Sequence, residues 1–203
     1  MRVLHCADSG LLVELDDLDA VQSLYAALSA ALPEGVTDLV PAARTLLLRL
    51  DPRRADPDAV ERAVREARPG RSAERSEGLV RIPVVYDGED LAEVARLTGL
   101  TEREVVREHT SSEWTVAFGG FAPGFGYLAG GSALLEVPRR TESRTKVPAG
   151  AVGLAGRFSG IYPRESPGGW QLIGRTGVEI WQVDREPPAL LRPGVRVRFQ
   201  EAR

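Results

Sequence analysis

Fourteen of the 21 glycines in this 203-residue chain fall between Gly119 and Gly177. A segment punctuated this densely cannot hold long helices, because glycine in a helix interior costs about 1 kcal/mol relative to alanine. The apolar runs in and around it are short: Trp114–Phe118, Leu134–Val137, Val152–Ala155, Trp170–Ile173, Val178–Trp181 and Val195–Phe199. Short strands broken by Gly/Pro turns predict a β-barrel or sandwich.

The chain before this segment has a different pattern. Val3–His5 and Leu11–Leu15 flank an Asp8-Ser9-Gly10 turn, which predicts a hairpin. Asp17–Leu32 reads as a helix, with Val21, Leu24, Tyr25 and Leu28 on one face and Pro33 as its stop. Val36–Val40 and Arg44–Leu50 are further strand candidates. Asp56-Pro57 caps a second helix whose narrow apolar stripe is Val60 and Val64. This order predicts a sheet with helices on one face.

The polar stretch Pro69–Gly78 (PGRSAERSEG) reads as a linker. It divides the chain into an N-terminal α+β sandwich domain, residues 1–75, and a barrel domain, residues 76–203, so the fold class is α+β. The second domain opens with a strand, Leu79–Tyr86, and two short helices, Asp90–Leu97 and Thr101–His109. Thr101 and Glu104 form a capping-box signature.

Composition excludes several function classes. With 43% hydrophobic residues the chain can build a core, so it is not wholly disordered. A net charge of -3 argues against nucleic-acid binding. No apolar run approaches the roughly 18 residues of a membrane span, and MRVLHCADSG lacks a basic-then-apolar leader pattern. A cytoplasmic protein without a membrane or nucleic-acid partner is expected. Cys6 is the single cysteine, and His5 and His109 are the only histidines, so no metal site is expected within this chain. No G-x-x-x-x-G-K-[ST] loop is present, so no P-loop ATP site is expected either.

The candidate chemistry lies in Gly119–Leu128 (GGFAPGFGYL) and Ser166–Trp170 (SPGGW). Glycines there permit positive φ and close backbone approach, and exposed N–H groups in such turns can hold an anion. The plainer alternative is a set of tight barrel turns with aromatics filling the core. Charge is a second signal. Pro138–Arg175 carries +5, through Arg139, Arg140, Arg144, Lys146, Arg157, Arg164 and Arg175 against Glu142 and Glu165, while the rest of the chain carries -8. Arginine forks suit a carboxylate or phosphate, although the same charges could face solvent in several directions. His109 ends its helix as either a general base or a residue favoured by the helix dipole. Lys146 is the only lysine in the chain.

The strings HTSSEWTVAFGGFAPGFGYL, VPRRTESRTKVPAGAVGLAG, GIYP and SPGGWQLIGRT, in this order, resemble the KipI family. The opening ADSGLLVEL and the segment PAARTLLLRLDP resemble its N-terminal region, so the likeness covers the whole chain. The family includes the B subunit of bacterial 5-oxoprolinase, also called allophanate hydrolase subunit 1-like, and homologous regions occur in the carboxyltransferase part of urea carboxylases. The resemblance implies an N-terminal α+β domain followed by a cyclophilin-like β-barrel, without isomerase activity. It implies ATP-dependent opening of 5-oxo-L-proline to L-glutamate, through phosphorylation of the amide oxygen and hydrolysis. The implied partners are a C subunit (KipA-like) and an A subunit (LamB/YcsF-like), with ATP engaged through the assembled complex and this chain binding a small anionic substrate.

Site residues carried by the resemblance are Arg139, Arg144 and Arg175 for anions, Gly124, Gly168 and Gly169 for close backbone approach, and Phe125 and Trp170 as an apolar wall. His109 and Lys146 are the catalytic candidates. The chain departs from the family pattern at Ser143-Arg144, where Pro-Arg is frequent, at Gly150-Ala151-Val152, where Gly-Ser-Val is frequent, and at Gly194-Val195, where Gly-Asp is usual. Ala151 removes one hydroxyl that could touch a ligand. Two other functions stay open: carboxyl transfer with a biotinylated partner, and non-enzymatic inhibition of a sensor histidine kinase.

Overall fold

The computed structural model describes residues 1–68 and 78–202. Apart from Gly78, the expected linker Pro69–Gly78 lies outside the described residues. The chain divides into two compact units, Met1–Arg75 and Ser76–Arg203.

The first unit runs β1 (Arg2–His5), β2 (Gly10–Glu14), α1 (Leu18–Ala30), β3 (Val36–Pro41), β4 (Thr45–Leu50) and α2 (Pro57–Glu66). Its sheet is antiparallel in the order β1-β2-β4-β3. Both helices start on aspartate caps. Asp17 accepts from the Ala20 N–H at 2.8 Å, and Asp56 accepts from the Asp58 N–H at 3.0 Å. Alternation along the strands puts Leu11, Val13, Leu46 and Leu48 on one face, where Leu24 and Leu28 of α1 and Val60 and Val64 of α2 cover them.

The second unit runs β5 (Leu79–Val84), α3 (Leu91–Thr98), α4 (Glu102–Ser111), β6 (Trp114–Gly119), β7 (Gly126–Ala129), β8 (Arg144–Val147), β9 (Ala151–Ala155), β10 (Phe158–Ile161), β11 (Ser166–Gly168), β12 (Gln171–Arg175) and β13 (Arg196–Glu201). Seven strands form one sheet in the order β12-β9-β10-β7-β6-β13-β5, while β8 and β11 make a separate two-stranded ribbon. The sheet nearly closes on itself. Just beyond β5, Val85 exchanges two backbone hydrogen bonds of 2.9 Å with Arg175 at the end of β12. The α+β class and the barrel-like sheet agree with the sequence expectation.

Period-two alternation gives the sheet two apolar faces. Ile82, Leu128, Val152, Leu154, Ile161, Ile173 and Val197 build the main core, onto which α3 and α4 pack. Phe125, Trp170, Leu172 and Tyr162 form a smaller, aromatic core. Along β10 the division is residue by residue: Ile161 joins the main core, whereas a Cβ at Gly160 would stand 2.8 Å from Phe125.

Two expected strands are corrected. Leu134–Val137 is instead a 3-10 turn, Ala133–Leu135, capped by the Ser132 hydroxyl, with Val137 making a lone bridge to Gly156. Val178–Trp181 is not a ladder strand. The Arg185 guanidinium organises that loop by donating to the carbonyls of Glu179, Ile180, Pro187 and Pro188, and Trp181 makes a lone bridge to Ala189. Among the described residues no helix is long and apolar enough to cross a membrane.

Candidate functional site

The two glycine-aromatic strings meet on the aromatic face of the sheet. The β6–β7 loop is tied by its own backbone, with Gly120 N–H to Phe125 O at 3.2 Å and Phe125 N–H to Ala122 O at 3.0 Å. This places Phe125 edge-on to Trp170, with ring centroids 5.3 Å apart, and to Tyr162 at 5.5 Å. Edge-to-face geometry sets the positive ring edge against the negative face of its neighbour. Gly168 is required here, because a Cβ would collide with the Tyr162 hydroxyl. Gly169 lies against the Ser143 hydroxyl, and its carbonyl accepts from the Arg140 N–H at 2.8 Å. Gly124, at φ +83°, backs onto Trp181. Phe125, Gly168, Gly169 and Trp170 therefore lie in one packed cluster, with Gly124 at its edge against Trp181.

The charged candidates separate. Arg144, on β8, is largely buried and committed: it donates to Asp90 at 2.8 Å and to Glu89 at 3.0 Å. Asp90, only 3% exposed, also accepts from Arg140 at 2.5 Å and from the Leu172 N–H at 2.7 Å. Burial by itself would raise the Asp90 pKa. The hydrogen bonds from Arg144 and Leu172, with the charges of Arg144 and Arg140, outweigh it and hold the carboxyl below its ordinary range. Asp90 thus pins the 140–144 segment and β12 to the start of α3. Arg175 pairs with Asp87 at 2.9 Å on the surface. Lys146 is 75% exposed and pairs with Glu165 at 3.1 Å. Arg139 is exposed, and its side chain makes no hydrogen bond or ion pair among the described residues.

His109 lies apart from the aromatic cluster. It is fully buried, stacks on Phe199 at 4.2 Å, and bonds through both ring nitrogens: Nδ1 to the Tyr86 hydroxyl at 2.7 Å and Nε2 to the Ser159 hydroxyl at 2.9 Å. Burial lowers its pKa to about 3, so it is neutral, and it pushes that of Tyr86 upward. With both nitrogens satisfied in the interior, His109 supports the barrel core.

Sequence reasoning missed Asp90, Tyr162 and Phe121. Tyr162 sat in plain view in GIYP, next to its proline. Beside the cluster a cleft of about 870 Å³ is lined by Tyr162, Trp181, Glu179, Asp184 and Arg185 among others. Four of the five N–H donors of its arginine go to the carbonyls above, and Glu179 and Asp184 add negative charge to the cleft. Among the described residues, no three His, Cys, Asp or Glu side chains gather as a metal site would need.

With this geometry in place, the relatives fall into line. A family model described as carboxyltransferase domain, subdomain C and D, matches residues 1–191. The B subunit of 5-oxoprolinase from Escherichia coli O157:H7 is 46% identical over 158 residues, covering 76% of this chain and 72% of that protein. The crystal structure of TTHA0988 superposes with a TM-score of 0.80 at 41% identity, covering 96% of this chain; the chain spans only 40% of TTHA0988. The Kluyveromyces lactis urea carboxylase, at 18% identity and a TM-score of 0.73, shares the fold over 99% of this chain and 22% of its own length. The chain belongs to the family of carboxyltransferase domain subdomains C and D, with curated 5-oxoprolinase B subunits among its relatives.

Proposed function

We propose that this chain is the B subunit of a cytoplasmic, ATP-dependent 5-oxoprolinase that converts 5-oxo-L-proline to L-glutamate with A and C subunits. The observation that carries this reading is the 46% identity to the B subunit of the E. coli 5-oxoprolinase over most of both chains. The homologous region of TTHA0988 is part of a longer polypeptide, which supports a chain that works joined to further domains or subunits; on this reading the chain is inactive alone.

The 870 Å³ cleft presents Glu179 and Asp184, and four of the five N–H donors of its one arginine, Arg185, are taken by backbone carbonyls, which leaves little for a triphosphate. On this reading ATP is engaged through the assembled complex, and this chain's share is to bind and orient the substrate. The aromatic cluster offers a wall for an apolar ring, and Arg139 offers an uncommitted guanidinium for an anion.

The test is ATP-dependent glutamate release from 5-oxoproline by this chain with its A and C partners, each omitted in turn. Release that requires all three supports the reading. The carboxyltransferase family model favours one second reading, carboxyl transfer with a biotinylated partner. That reading gains if the assembled complex releases no glutamate but consumes carboxybiotin.

A further inference from the structure

We propose, resting on the 5-oxoprolinase reading, that Arg139 and Phe121 form the substrate subsite on either side of a buried support, Tyr162: Arg139 pairs with the carboxylate and Phe121 covers the ring.

Phe121 is the first observation. It holds φ +64°, in the left-handed region that a bulky side chain seldom adopts. The loop hydrogen bonds around Gly120, Ala122 and Phe125 enforce this conformation. Burial does not repay the strain, because the ring is 57% exposed. It nevertheless stands edge-on to Phe125 at 5.2 Å and to Tyr162 at 5.9 Å. Strain that the fold enforces yet does not bury is a mark of a contact made for a ligand.

Tyr162 is the second observation. The residue is only 2% exposed, and its ring stands edge-on to Phe121 at 5.9 Å and to Phe125 at 5.5 Å. Its hydroxyl fills the space that a Cβ at Gly168 would take, so Tyr162 is a fixed support between Phe121 and the Gly168–Trp170 backbone.

The third observation is the distribution of cations. Arg144, Lys146 and Arg175 are each paired with a carboxylate of this chain, whereas Arg139 is not. Its neighbour Arg140 is bonded through its N–H to Gly169, so the main chain at residue 139 runs beside Gly168–Trp170 and therefore beside the Tyr162 hydroxyl. A lactam ring with a carboxylate on an adjoining carbon matches this set. Its methylene face takes the aromatic edge, and its carboxylate takes the guanidinium fork.

The experiment uses the assembled three-subunit complex. It measures kcat and KM for 5-oxoproline, and Ki for 2-pyrrolidinone, the same ring without the carboxylate. Arg139→Gln should raise KM by about tenfold or more, as expected for a lost charge-assisted pair, with kcat little changed. The same variant should leave the 2-pyrrolidinone Ki within about twofold, and Arg139→Lys should recover part of the loss. Phe121→Ala should raise KM and Ki together. Equal effects of Arg139→Gln on both compounds, or none on either, would overturn the carboxylate assignment. An unchanged KM in Phe121→Ala would overturn the ring assignment. A wild-type complex that releases no glutamate would defeat the underlying reading instead, and so separates the two failures.

Discussion

Replacing Asp90 with alanine tests whether one buried carboxylate holds the barrel's charged edge together. The side chain is 3% exposed and accepts from Leu172 N–H, Arg140 and Arg144 at 2.5–2.8 Å. Removing one member of a buried ion pair costs about 3–5 kcal/mol, because the remaining partner stays desolvated. The lower end applies here. Arg140 is 34% exposed and can turn to water, and Arg144 keeps Glu89. The Leu172 N–H has no such escape, since it lies within β12. A loss of about 3 kcal/mol in a unit of this size lowers Tm by roughly 10 °C. Asp90→Asn retains an oxygen for Leu172 but turns an NH2 donor toward the two arginines, so only the Leu172 bond survives and the loss should be only somewhat smaller than that of Asp90→Ala. Thermal unfolding followed by circular dichroism on wild type and both variants gives the comparison. A melting temperature for Asp90→Ala within about 2 °C of wild type would refute the argument, since it would mean that the three donors find other partners at no cost.

Acidification should destabilise the fold through His109. Its folded pKa of about 3 lies below the unfolded 6.5, so between those values only the unfolded chain takes up the proton, and stability falls by up to about 1.4 kcal/mol per pH unit. Urea midpoints at pH 7 and pH 5 should converge in His109→Gln, and an equal drop in wild type and variant would count against this. Gly160→Ala places a Cβ 2.8 Å from Phe125 and 3.0 Å from Trp170 and should cost about 1–3 kcal/mol, read as a lower urea midpoint with altered near-ultraviolet dichroism. Lys146→Ala removes only the surface pair with Glu165 and should change stability by less than about 0.5 kcal/mol. A large loss of glutamate release in that variant would restore Lys146 as a catalytic candidate.

Local signals in the sequence are reliable where the chemistry is local. The Thr101/Glu104 capping box forms with both of its reciprocal bonds, and the aspartate caps of α1 and α2 sit where the sequence places them. The strands β7 and β10 are hard to read because their glycines mimic turns. Gly126 and Gly160 lie in strands beside bulky side chains, Leu191 and Phe125, that leave no room for a Cβ. Ribbon strand β8 reads Arg-Thr-Lys-Val, too polar for a core strand, because it pairs only with β11 and leaves one edge to water.

The candidate site divides along the same line. Phe125, Gly168, Gly169 and Trp170 are legible as packed elements, since a glycine beside an aromatic ring states its own reason. The charges are not. The +5 segment reads as a field for an anion, yet its partners lie far away in sequence. Asp90 is 50 residues from Arg140 and 54 from Arg144, and Asp87 is 88 from Arg175. Folding brings these carboxylates in against Arg140, Arg144 and Arg175, and Glu165 meets Lys146, while Arg157 and Arg164 have no such partner among the described residues. Arg139 keeps its charge uncommitted, and it does so beside the tyrosine that the glycines accommodate. The sign of the segment is therefore a poor guide to binding, and an unpaired arginine that also stands beside the aromatic cluster is the informative one.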